Sequence, residues 1–264
     1  MSVKKWVSSK YALLVAAVLV LLILLGVNWI RSRGVPQTMK GSVTVMDPAH
    51  NGVDLGTSCS FNGVTVAESF ATYDVAERVK NLVEERGGTF ISTLWNGGPI
   101  DDTSPSKFKN STPAKFTLDS TIATSDSLGI WKRIETVRRA KIRYPDLPIY
   151  MVTLHHARLR EDRVGVRIIH GSGAGRLVSG MDSAFRSVGY INEGTITFRR
   201  SDYSDSEIRS LGVLGSSNPV SQKIILVLGN SRNPRECRDM ADHKQRQIFA
   251  ELIVEGLEKA HQKK

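Results

Sequence analysis

The sequence predicts an α/β fold of three layers (αβα), with a mostly parallel or mixed central sheet, helices on both faces, and one N-terminal transmembrane helix before it. Three observations carry that expectation. Strand-like apolar runs alternate with helical periods along the chain. Several of those runs are continuous, as strands buried on both faces are. Near the start, Tyr11–Ile30 holds no charge for 20 residues, about the length a helix needs to cross a bilayer core. At 264 residues the chain can bury one large domain behind that segment.

In chain order, residues 1–10 carry Lys4, Lys5 and Lys10, and Arg31 and Arg33 follow the apolar run, with no acidic residue before position 35. The positive-inside rule then predicts a cytoplasmic N-terminus at 1–10, a transmembrane anchor at 11–30, a linker at 31–40, and a domain at 41–264 in the periplasm or on the cell-wall side. No small-residue cleavage site follows Ile30, and a signal-peptide core is shorter, about 7–15 residues, so an uncleaved anchor is the better reading. The membrane is therefore one expected partner.

SVTVMD (42–47) reads as the first buried strand. Residues 67–88 place Phe70, Tyr73, Ala76, Val79 and Leu82 or Val83 at helical spacing, and Gly87–Gly88 ends the helix. TFISTLW (89–95) reads as a strand, and 96–129, rich in Gly, Pro, Ser, Thr and Asp, as a long surface loop. A helix over 130–145 sets Trp131, Ile134 and Val137 on one face. Strands at 147–157 and 164–170, a Gly-rich turn with a helix at 171–190, and a strand at 223–229 follow. The final helix, 241–262, has Ile248, Leu252 and Glu255–Gly256 spaced to make one side apolar.

Of the net charge of +10, five cations flank the apolar run, leaving +5 for the domain. That balance suits attraction to anionic wall polymers or lipid headgroups. No basic cluster interleaved with aromatics is present, so no nucleic acid is expected as a partner. Cys59 and Cys237 are too far apart for a CxxC site; they form either a disulfide in an oxidising exterior or two buried thiols. HGSGAG (170–175) lacks phosphate-loop spacing, and Ser172 lacks a nucleophile elbow.

Ligand sites in such sheets form beyond the carboxyl ends of strands. Asp47 and His50 lie at one such end, His155 and His156 at another, and Glu68 opens the helix after the first strand. Two His and one Glu are a known catalytic zinc set that leaves a position open for water. Such an ion lowers the pKa of its water and polarises a carbonyl. The bland readings stay open: Glu68 as a carboxylate at a helix N-terminus, and Asp47 as a turn cap. Strand alternation sends His155 and His156 to opposite faces, so only one of them can reach the site.

DPAHNGVDLG (47–56) resembles the D-P-G-H-G-G-x-D-x-G motif of the zinc-dependent N-acetylmuramoyl-L-alanine amidases (amidase family 3, AmiC-type catalytic domain), with Ala49 and Asn51 in place of glycines. Glu68 before AERVKNLVEERGG and His155 in TLHHA match the family's next two ligand positions, and SEIRSLGVLG with the last helix resembles its closing segments. The resemblance runs from about Val43 to the C-terminal helix, with 96–129 least similar. It implies Zn2+ held by His50, Glu68 and His155, with Asp47 orienting His50, and hydrolysis of the amide between N-acetylmuramic acid and L-alanine in peptidoglycan. One departure matters: in LVLGNSRNP (226–234), Val227 stands where the family carries a catalytic Glu. Glu193 and Glu236 are the candidate substitutes. The same departure favours an alternative, a catalytically degenerate domain that binds peptidoglycan or regulates. A third reading is a zinc hydrolase acting on another amide or ester. Arg158, Arg160 and Arg163 flank His155 as a solvated charged loop or as contacts for peptide carboxylates.

Overall fold

All six residues of Val43–Pro48 are buried, and this strand, β1, lies one place in from the edge of a six-stranded sheet. The computed structural model describes residues 34–50, 54–96, 114–190, 195–197 and 211–262, together with Val15 and Val18. It divides into two units, Met1–Pro36 and Gln37–Lys264. Apart from Val15 and Val18, the expected membrane helix at 11–30 lies outside the described residues. Among those described, no helix is long and apolar enough to cross a membrane.

In the second unit β1 is followed by β2 (Ser58–Phe61), β3 (Val64–Ala67), α1 (Glu68–Glu85), β4 (Thr89–Ser92), β5 (Leu94–Trp95), β6 (Lys115–Phe116) and α2 (Ser127–Arg143). Then come β7 (Ile149–Ala157), β8 (Arg167–His170), α3 (Gly175–Ser187), β9 (Thr195–Thr197), β10 (Lys223–Asn230), α4 (Pro234–Ala241) and α5 (His243–Gln262). The sheet order is β4-β1-β7-β10-β8-β9. The first four strands are parallel, and β8 joins β10 antiparallel, so the sheet is mixed as the sequence predicts.

The period of two in each strand divides the core. Val43, Val45, Met151, Ile225 and Val227 pack under α2 and a 3-10 turn at Gly212–Leu214. Met46, Val152, Leu154 and Leu226 face the other way, against Val79 of α1, Leu177 of α3 and Phe249 of α5. Helices cover both faces, which gives the three layers.

Three details depart from expectation. The predicted strand at 89–95 divides at the buried Thr93: β4 pairs with β1, whereas β5 pairs with β6 in a separate ribbon, inside the segment predicted to be loop. α2 starts early, at Ser127, because the Asp126 side chain caps it by accepting from the Gly129 amide at 2.8 Å. Ile134 and Val137 in α2 and Leu252 in α5 are buried as expected, but Trp131 and Ile248 point outward, at 49% and 40% exposure, because the buried stripes centre on Arg133, Ile134, Val137 and Ala140 in α2 and on Phe249, Leu252 and Ile253 in α5.

Cys59 of β2 and Cys237 of α4 form a disulfide with Cα atoms 5.9 Å apart, which settles their state. α3 and α5 touch backbone to backbone: a Cβ added at Gly180 would lie 2.2 Å from the Gly256 carbonyl oxygen. Gly180→Ala is therefore expected to cost about 1–3 kcal/mol, several degrees in thermal melting. Gly175→Ala, where an added Cβ meets nothing within 4 Å, is the control and is expected to melt as wild type does.

Candidate functional site

β1 and β7 are parallel neighbours, with Asp47 opposite Thr153 and Pro48 opposite Leu154, so their carboxyl ends open at one edge of the sheet. α1 begins at Glu68, and its first amide donates to the Thr57 carbonyl at 2.8 Å, which brings the helix start to the same edge. His50, Glu68 and His155 therefore converge, and one ligand-type atom from each lies within 4.8 Å of the others.

Glu68 is fully buried. Its Oε2 accepts from the Thr57 amide at 2.9 Å and hydroxyl at 3.0 Å, and lies 3.3 Å from His50 Nε2. Its Oε1 accepts from the His156 amide at 2.8 Å and lies 3.2 Å from His155 Nδ1. Burial alone would raise its pKa, but hydrogen bonds and charge from His155 and His50 hold the carboxyl well below the usual range. Burial alone would likewise lower the His50 pKa, yet Glu68 and Asp54 carry it up to about 9. His156, on the other face of β7, is pushed down to about 4 by burial and is neutral at physiological pH.

His50 has φ 61°, a left-handed conformation unusual outside glycine. Arg133 holds it there. That buried guanidinium pairs with Asp47 and donates to the Pro48 carbonyl at 2.9 Å and to the His50 carbonyl at 3.1 Å. Asp47 also accepts from Thr93 and Thr153. Asp47 thus bears on His50 through Arg133, while the imidazole Nδ1 meets Asp54 Oδ2 at 2.9 Å. Gly56 closes the motif at φ 66°, where an added Cβ would sit 2.5 Å from His50 Cδ2 and 2.7 Å from Glu68 Oε2.

Beside these residues is a cavity of about 300 Å³ with Ala49, Ile130 and Val213 on its apolar wall and Ser125 and Asp126 at its polar side. Val227 pairs in register with His155, sharing its face of the sheet, and packs into the core under α2. Glu236, offered above as a substitute acid, is committed elsewhere: its two oxygens accept the Gly165 and Asn230 amides, and burial raises its pKa. Glu193 lies outside the described residues. Arg160 is exposed and pairs with Asp162, which fits the solvated-loop reading. Arg133, Thr57 and Ser125 went unread in the sequence, and Asp54 was read only as a match within the 47–56 motif. The available signal for Arg133 was a cation three residues after Ile130 and four before Val137, on the buried stripe of an amphipathic helix.

No protein-family model matches the chain, and no curated protein matches it by sequence. Solved structures do match in fold. N-acetylmuramoyl-L-alanine amidase AmiC2 of Nostoc punctiforme superposes with TM-score 0.56 at 15% identity, over 82% of this chain and 95% of that one. The catalytic domain of CwlV, an N-acetylmuramoyl-L-alanine amidase from Bacillus (Paenibacillus) polymyxa var. colistinus, gives 0.57 at 14% identity, over 82% and 96%. The N-acetylmuramyl-L-alanine amidase Ami1 from Mycobacterium smegmatis gives 0.56 at 17% identity, over 86% and 99%. The chain shares their fold.

Two outcomes follow from these contacts. Arg133→Ala leaves Asp47 as an uncompensated buried charge and is expected to lower unfolding stability by about 3–5 kcal/mol. Arg133→Lys should recover only part of it, because one ammonium cannot span the carboxylate and both carbonyls; denaturant midpoints check both. In metal-free protein, the raised His50 pKa adds stability that is complete below pH 6.5 and lost as pH rises through about 9. Melting curves taken in chelator should show that alkaline decline, and His50→Ala should lack it.

Proposed function

We propose that this chain is a zinc-dependent hydrolase of peptidoglycan that cuts the amide between N-acetylmuramic acid and L-alanine. The convergence of His50, Glu68 and His155 at the carboxyl edge of a sheet with the amidase fold carries the reading. The donor set suits zinc: two imidazoles and one fully buried carboxylate whose charge calls for a cation. When bound, zinc supplies Lewis acidity, making water nucleophilic near neutral pH and polarising the scissile carbonyl.

The chain's own residues supply the rest. Thr57 and the His156 amide keep the Glu68 oxygens aimed between the two rings. Arg133 fixes the His50 backbone, and the apolar wall of Ile130 and Val213 sets the shape of the cavity that receives substrate. In the amidase pattern that the sequence resembles, a Glu moves the proton; Val227 cannot. That observation favours a second reading, a degenerate domain that binds peptidoglycan without cutting it.

The proposal extends to an N-terminal anchor at 11–30 with the domain outside the cytoplasm, supported by the uncharged run and its flanking cations. The disulfide is in keeping with an oxidising exterior.

Purified protein is expected to hold one zinc per chain and to release peptide stems from wall material in a chelator-sensitive way, with His155→Ala losing both. Binding to wall material without release would favour the degenerate domain. Val227→Glu, which adds a carboxylate beside His155, is expected to raise the release rate about 10²-fold or more, the usual worth of a placed proton carrier; an unchanged rate would show that the proton leaves by another group.

A further inference from the structure

We propose that Asp54 is the positioning residue of this centre: its carboxylate turns the His50 imidazole so that Nε2 faces Glu68, and the Ser125 hydroxyl tethers that carboxylate. The inference rests on the metal-site reading above and goes beyond it.

The geometry is direct. Asp54 Oδ2 lies 2.9 Å from His50 Nδ1, while the other ring nitrogen, Nε2, lies 3.3 Å from Glu68 Oε2. With Nδ1 engaged as a donor to a carboxylate, the neutral ring presents its lone pair at Nε2, and the ligand becomes more basic. Asp54 is itself fixed twice: Oδ1 accepts the Gly56 amide at 3.1 Å, and Oδ2 accepts the Ser125 hydroxyl. Ser125 lies two residues before α2, the helix whose Arg133 grips the His50 carbonyl. One helix and its leading turn therefore hold both the backbone and the ring of His50. Asp47, by contrast, spends its carboxylate on Arg133, Thr93 and Thr153 and has no hydrogen bond to the imidazole. Ser125 also lines the cavity, so a substrate entering there meets the residue that steadies the ligand.

The test is zinc affinity of the full chain, measured by competition with a chromophoric chelator, with the visible spectrum of the cobalt-substituted protein as a second readout. Asp54→Ala is expected to weaken zinc binding by roughly 10- to 100-fold, as loss of such a partner does elsewhere, and to shift the cobalt bands; Asp54→Glu should recover part of the affinity. Ser125→Ala keeps the Asp54 to Gly56 bond and should weaken binding several-fold, which keeps the inference testable if Asp54→Ala fails to fold. Wild-type affinity and an unshifted cobalt spectrum in the foldable variants would overturn it. A wild-type protein that takes up no zinc would instead overturn the hydrolase reading, and this inference with it.

Discussion

A carboxylate with no exposed surface needs an answer for each of its lone pairs, and Glu68 sets that demand at the edge of the sheet. Thr57, His50, His155 and the amide of His156 meet it, and they come from the loop after β1, the bend before β2 and the end of β7. To satisfy one side chain, the first helix must start where two strands stop. The buried charge thus links the layer order of the fold to the layout of the site.

Behind it lies a second constraint, the parity of the strands. Counting by twos from Val43 leads to Asp47 on the α2 face, and from Met151 to Thr153 and His155 on that same face. His156 falls on the other face, its imidazole buried and neutral while its amide still serves Glu68. Arg133 then joins α2 to the strand ends, and its grip on two carbonyls stabilises a histidine backbone that glycine would adopt at less cost.

How far the sequence could be read follows from the range of each interaction. β1, α1, β7 and β10 were legible because local period and run length mark them, and His50, Glu68 and His155 were legible because strand ends and helix starts do. The partners that steady them were not. Arg133 meets Asp47 across 86 residues and Ser125 meets Asp54 across 71, so neither contact leaves a local pattern. Trp131 and Ile248 were misplaced for a related reason: residues three or four apart still differ by about 40–60° round a helix, and the sheet selects where the buried stripe ends. At Thr93 a buried hydroxyl donating to Asp47 ends a strand that composition alone would continue.

The link between Cys59 and Cys237 bears on when the molecule is finished. The segment from Asp54 to Ala67 carries Thr57 to Glu68, and its hairpin is stapled to α4 by a bond that closes a loop of 178 residues. Such a bond forms where thiols are oxidised, which on the proposed placement outside the cytoplasm means after export. On that proposal the hairpin beside Thr57 is fixed to α4 only once the bond has formed. The fastening of that rim would then be timed by arrival in the compartment where the bond can form.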